Sequence, residues 1–87
     1  MEDQLLLQAL LEVAEKAGIE VRQAALGGQG GGLCVLRGKK ILFIDVSADL
    51  AEEIARTAEA LADLEDLEQQ YLLPQVRQVL QKHQKNP

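Results

Sequence analysis

The stretch Leu33-Cys34-Val35-Leu36-Arg37-Gly38-Lys39-Lys40-Ile41-Leu42-Phe43-Ile44-Asp45-Val46 decides the fold of this chain. Two apolar runs rich in β-branched residues flank Gly38-Lys39, and a glycine in a two-residue connection between such runs is typical of a tight β-hairpin. With these two residues in the turn, the expected cross-strand pairs are Arg37 with Lys40, Leu36 with Ile41, Val35 with Leu42, and Cys34 with Phe43. The stretch therefore predicts two antiparallel strands.

Both faces of the predicted hairpin are apolar. Because side chains alternate along a strand, one face carries Cys34, Leu36, Ile41 and Phe43, and the other carries Leu33, Val35, Leu42, Ile44 and Val46. An apolar sheet needs a covering layer on each face. Helices of the same chain would cover one face, and a second copy related by a two-fold axis would cover the other. We therefore predict a homodimer, with Leu33, Val35, Leu42 and Ile44 as its interface.

The segments around the hairpin predict an α+β fold. Apolar residues at three- and four-residue steps indicate an amphipathic helix over residues 3–17, and mixed polar and apolar residues over 19–26 indicate an edge strand. A helix with Ser47 or Asp49 as its N-cap is expected to run to about Leu64, and Pro74 is expected to open a last helix. The prediction is a single domain over residues 1–87: an N-terminal helix, a three-stranded antiparallel meander, two C-terminal helices and a short fourth strand near Tyr71.

Composition narrows the classes of function. Of the 87 residues, 47% are apolar and 26% charged, and the net charge is −5, which favours a globular domain. Scattered cations in an acidic chain argue against nucleic acid as a partner. The single cysteine rules out an internal disulfide framework, no apolar segment is long enough to span a bilayer, and the acidic start does not resemble a signal peptide. We expect a cytoplasmic protein with no membrane partner.

The glycine-rich run before the hairpin is the candidate ligand- or partner-binding loop. It consists of Gly27, Gly28, Gln29, Gly30, Gly31 and Gly32. Phosphate-binding loops follow a Walker pattern or place Gly-x-Gly-x-x-Gly between a strand and a helix, and neither pattern is present. A plain flexible or partner-contacting loop is therefore favoured over a phosphate cradle.

Three side chains are candidates for chemistry, and each has a simpler structural explanation. Cys34 is predicted in mid-strand, where cysteine usually acts as a small hydrophobe. His83 is the single histidine, and one histidine with one cysteine cannot form a conventional zinc site. Asp45 follows an apolar strand with no partner acid or histidine identifiable from spacing, which favours a strand-end hydrogen bond over general acid–base catalysis. The prediction includes no catalytic residue, metal or cofactor.

The run Gly31-Gly-Leu-Cys-Val-Leu-Arg-Gly-Lys-Lys-Ile-Leu-Phe-Ile-Asp45, with the helix after it, resembles a family of small uncharacterised bacterial proteins. Its hairpin and helix are also similar to the region before the active site in ImmA/IrrE-type zinc peptidases, over less than half of the chain. Where those enzymes carry His-Glu-x-x-His, this helix has Arg56-Thr-Ala-Glu-Ala-Leu-Ala-Asp63. Because Glu59 alone cannot hold zinc, the resemblance transfers no functional residue to this chain.

These patterns favour a non-catalytic protein–protein interaction module that self-associates. Two alternatives remain open at this point. One is an enzyme or small-ligand binder that uses the 27–32 loop together with Asp45, and the other is a metal-free remnant of a peptidase-like fold. An enzyme requires a concave site with convergent polar groups, whereas an interaction module requires a contiguous apolar surface.

Overall fold

The computed structural model of this chain describes residues 2–28, 31–62, 64 and 70–83. Its helices are α1 (Asp3–Lys16), α2 (Leu50–Ala62) and α3 (Pro74–Lys82), and its strands are β1 (Glu20–Ala24), β2 (Gly32–Leu36) and β3 (Lys39–Asp45). The predicted α+β class is confirmed. The helices also begin and end within a few residues of the positions that apolar spacing indicates.

α1 and α2 pack on one face of the sheet, and α3 packs against these two helices. Each turns its apolar stripe inward, so that α1 contributes Leu6, Leu10, Val13 and Ala14, α2 contributes Ala58 and Leu61, and α3 contributes Val76 and Leu80. These side chains meet Leu42 and Ile44 of β3 in one apolar cluster. Burial of aliphatic side chains at about 1.5–3 kcal/mol each is the main stabilising term for such a core.

The hairpin forms, but the predicted register is wrong. Its turn is Arg37-Gly38, with Leu36 paired to Lys39, Cys34 to Ile41 and Leu33 to Leu42. Both turn residues have positive φ, 53° for Arg37 and 78° for Gly38, which is the backbone of a type I′ turn with glycine in second position. The correction moves each partner by two residues, so the sets of side chains that share a face are those predicted.

The predicted antiparallel meander is also wrong, because the strand order is β1-β3-β2 and β1 runs parallel to β3. The connection from β1 to β2 therefore crosses the carboxyl end of β3 instead of forming a second hairpin. The prediction that β1 is an edge strand is confirmed, as is the prediction that β3 is the most buried strand, since β3 alone buries Ile41, Leu42, Ile44 and Asp45.

The two faces of the sheet have different environments. The helix face carries Val21, Leu33, Leu42 and Ile44, which all belong to the apolar cluster or pack against it. The register places Cys34, Leu36, Ile41 and Phe43 on the opposite face, with the charged residues Glu20, Arg22 and Lys39. We call this second surface the open face, because the helices in the described part of the chain lie on the other side.

The predicted short strand near Tyr71 is wrong. Residues 71–73 belong to no strand, and only the middle side chain of the three, Leu72, enters the apolar cluster. The local backbone is nevertheless extended before Pro74, with φ −58° and ψ 145° at Leu73, as expected for a residue that precedes proline. An extended backbone alone therefore did not lead to strand pairing.

The Arg37-Gly38 turn gives a testable prediction for stability. A non-glycine residue with φ near 53° is strained by about 1 kcal/mol, and asparagine tolerates this conformation better. We expect Arg37→Asn to raise the free energy of unfolding by about 0.5–1 kcal/mol. Urea denaturation measures it, with Gly38→Ala as the opposite case, expected to lower the value by about 1 kcal/mol. Destabilisation by Arg37→Asn would contradict the type I′ assignment.

Candidate functional site

The carboxyl end of β3 is where the structure brings the predicted loop and Asp45 together. Asp45 is only 2% exposed, and its carboxylate accepts hydrogen bonds from the backbone N–H groups of Leu26 and Ser47, each at 2.9 Å. One bond holds the chain that leaves β1, and the other closes the turn after β3. Asp45 thus joins the crossing connection to the strand that it crosses, which agrees with the predicted strand-end hydrogen bond.

The glycine run is shaped by this crossing. A Cβ atom on Gly31 would lie 1.8 Å from the carbonyl oxygen of Phe43, so only glycine allows the chain to approach β3 this closely. Gly27 and Gly28 have φ near 80°, a conformation that other residues adopt at a cost. Gln29 and Gly30, the remaining members of the predicted loop apart from Gly32, lie outside the described residues.

The cleft between this corner and α2 is too small for an organic substrate. About 10 Å³ is open to the centre of a water molecule, which is room for about one water. Its polar groups are also engaged with one another. The Thr57 hydroxyl donates to the Glu53 carbonyl at 2.7 Å, and Arg56 donates to Glu52 at 2.9 Å, an ion pair that raises the pKa of Arg56. The side chains at this corner therefore hold backbone segments in place and do not form a substrate-binding site.

The other predicted candidates for chemistry lie apart from this corner. Cys34 is exposed on the open face, and His83 is the partly buried C-cap of α3. Within the described ranges, no three histidine, cysteine or acidic residues lie together as a metal-binding group would require. The chemistry-bearing residues singled out in the sequence thus belong to three separate places in the fold.

The four residues predicted as a dimer interface have unequal exposure. Leu42 and Ile44 are buried in the core, and Leu33 packs against it, so these three side chains already have partners within the chain. Val35, at the end of β2, is 65% exposed. The helices pack on the face that carries this set. On the open face, Cys34 is exposed, whereas Phe43 is partly buried and Ile41 is buried.

The open face is an apolar surface with a charged border. Leu36 is 57% exposed, Cys34 is exposed and Phe43 is partly buried. Sequence reasoning had grouped these side chains on one face from strand alternation, but did not identify that face as the uncovered one. The missing information was the strand order, because the sheet position of β1 determines where α1 can pack.

An ion-pair network forms the border of the open face along β1 and β3. Glu20 accepts from Lys39 at 2.8 Å and also pairs with Arg22. The hydrogen bond from Lys39 is the main cause and that from Arg22 the second, and together they hold the pKa of Glu20 below its ordinary value. The stabilisation is present above the ordinary carboxyl pKa and is lost as the pH falls through the lowered one.

The two edge strands of the sheet differ in charge. β1 carries Glu20 and Arg22, and charged side chains on an edge strand discourage pairing with another chain. β2 has the sequence Gly-Leu-Cys-Val-Leu, with no charge and no proline. β2 therefore has neither of these features, charge or proline, that discourage an edge strand from pairing with another chain.

Gly31 allows a sharp test of the crossing. We expect Gly31→Ala to lower the free energy of unfolding by about 3 kcal/mol or more, because the new methyl group overlaps the β3 backbone. Gly32→Ala is the matched control, since a Cβ at Gly32 meets nothing within 4 Å, and a change within about 0.5 kcal/mol is expected. Equal stabilities of the two variants in chemical denaturation would contradict the close approach.

The ion pair of Glu20 can be tested by NMR titration of its side-chain carboxyl carbon. Lys39→Gln removes the main cause of the lowered pKa, so we expect the pKa of Glu20 to rise toward its ordinary value. Lys40→Gln serves as the control, because Lys40 pairs with Val35 and lies on the opposite face of β3. An unchanged pKa in Lys39→Gln would show that this pair is absent in solution.

None of the helices in the described part of the chain is both long enough and apolar enough to cross a membrane. The chain matches no family model, no curated protein and no solved structure. The resemblance of its hairpin and helix to ImmA/IrrE-type peptidases therefore stays a prediction.

Proposed function

We propose that this chain is a small, non-catalytic interaction module that self-associates through the apolar end of its sheet. The observation that carries the proposal is the exposure of Val35 and Leu36, 65% and 57%, on an edge strand that has no charged side chain. Adjacent apolar side chains beside unpaired backbone groups favour association with another polypeptide.

Contact with a second copy would shield this surface from water. Leu36 and Cys34 of β2 lie on the open face beside Phe43, which is partly buried. Burial of apolar area stabilises association by about 25 cal/mol per Å² before the entropic cost of binding is subtracted. The module would work in the cytoplasm, where a single exposed thiol stays reduced.

The alternative of an enzyme or ligand binder at the glycine loop has weaker support. Its central residues, Asp45 and Gly31, are used in the crossing of β3, and the adjacent cleft has room for about one water. A catalytic carboxylate must reach a substrate, whereas Asp45 is 2% exposed and accepts two backbone hydrogen bonds. The interaction module is therefore the preferred proposal.

Sedimentation equilibrium tests self-association. The wild-type chain is expected to form a species of twice 9.5 kDa at micromolar concentration. Leu36→Glu is expected to raise the dissociation constant by about tenfold or more, because a buried leucine contributes roughly 1.5–3 kcal/mol. Leu5→Glu is the matched control, since Leu5 is 54% exposed at the start of α1, whose main strand contact is with β1. A mass of 9.5 kDa at every concentration would reject the proposal.

A further inference from the structure

We propose that two copies join β2 to β2 in antiparallel orientation, with Cys34 beside the two-fold axis, to form one continuous sheet with three strands from each copy. This inference rests on the proposed self-association and specifies its geometry. It is carried by the direction of the backbone hydrogen-bonding groups of β2, by the composition of its edge and by the placement of charges around it.

The turn sets which backbone groups of β2 are used within the chain. In a hairpin closed by two residues, the flanking pair Leu36 and Lys39 exchanges hydrogen bonds. Alternate residues of β2, which are Gly32, Cys34 and Leu36, therefore direct their N–H and C=O groups toward β3. The groups of Leu33 and Val35 point away from the sheet.

A bond on the other side of β3 fixes the same alternation independently. The N–H of Val46 donates to the carbonyl of Ala24 in β1 at 3.0 Å. The even-numbered residues of β3 thus point toward β1, and the odd-numbered ones point toward β2, as the turn requires. The outward groups of Leu33 and Val35 form a row on an edge that pairs with no strand in the described part of the chain, and another strand can pair with them.

The antiparallel register with full overlap is centred on Cys34. β2 spans Gly32–Leu36, so a two-fold axis at Cys34 sets Leu33 opposite Val35 of the second copy and Gly32 opposite its Leu36. Both Leu33–Val35 pairs are then of the hydrogen-bonded type, with about four backbone bonds between the copies. An axis at Val35 would bring Leu33 opposite Arg37, whose positive φ is incompatible with a strand.

Charge placement favours this register. Arg37 of one copy lies across from Gly31 of the other, which has no side chain. The cleft beside Gly31 is lined by Glu52, Glu53 and Arg56, and Arg56 is paired with Glu52. Glu53 is therefore the acidic side chain that Arg37 of the other copy would approach, and the symmetry of the pair gives two such contacts. The cationic turns lie at opposite ends of the joined strands and do not meet.

The register predicts a specific crosslink. Cys34 and Cys34 of the second copy form a non-hydrogen-bonded pair, with Cα atoms about 4.5 Å apart, which is within the range of a disulfide. The chain has one cysteine, so every disulfide it forms joins two copies. Diamide is the oxidant: two thiols lose two electrons and two protons to it and form one S–S bond.

We expect diamide to convert most of the native dimer to a disulfide-linked dimer, with loss of the link in denaturant. The matched control combines Cys34→Ser with Val35→Cys, because equivalent thiols at position 35 have Cα atoms roughly 8 Å apart, too far for a disulfide. Equal crosslinking of the two proteins would overturn the register.

Proline substitutions test the edge without relying on the thiol. Val35→Pro removes an outward N–H and no bond within the sheet, so the fold is retained and the dissociation constant rises about tenfold or more. Gln23→Pro does the same on β1, since Ala24 points toward β3 and Gln23 therefore points outward, and it leaves dimerisation unchanged. Circular dichroism checks the folding of both variants; if either unfolds, the crosslinking comparison in the folded proteins decides.

The outcomes separate the two proposals. A dimer that forms no Cys34 link and is insensitive to Val35→Pro would overturn the edge pairing and leave self-association standing, for instance through the open faces. A monomer at every concentration would overturn both. A dimer that crosslinks through Cys34 and not through position 35, and that dissociates with Val35→Pro, would support both.

Discussion

β3 pairs with a neighbour on each side, and this double pairing is the constraint on which the rest of the structure depends. Because β1 and β2 flank it, the chain between them must cross its carboxyl end. Asp45 accepts a hydrogen bond from the N–H of Leu26 in this crossing and another from the N–H of Ser47 in the turn after β3, each at 2.9 Å. The crossing also brings chains close enough that Gly31 cannot carry a Cβ. Once β1 and β2 are in place, α1 and α2 pack on one face and leave the other open.

Local patterns predicted the elements of this fold well. Apolar spacing located the three helices, and the alternation of Leu33–Leu36 and Ile41–Ile44 gave the correct two faces even though the turn was misplaced by one residue. The faces survive that error because moving the turn by one residue moves each partner by two, and the side-chain period is two. Gly38 is the second residue of the turn, the position that a type I′ turn gives to glycine.

The order of the strands could not be predicted in this way. The glycine-rich sequence between β1 and β2 allows two topologies: β1 can pair with β2 as a hairpin, or it can lie on the far side of β3. The entropic cost of closing the connection differs little between the two. The candidate site shares this difficulty. The loop and Asp45 were considered together as a ligand site, and the structure does bring them together, but as a joint in the backbone. The face on which the helices pack depends on the strand order, so it could not be predicted from these patterns either.

The parallel pairing of β1 with β3 also has a consequence for the rate and order of folding. The β2–β3 hairpin closes through two residues, and such structures form in about 1–10 μs. β1 contacts β3 across about twenty residues of chain, and contacts of long sequence separation form more slowly. The hairpin with α2 is therefore expected to fold first and α1–β1 to dock last, so that a nascent chain holds its apolar N-terminal helix without its main partner until α2 has been synthesised.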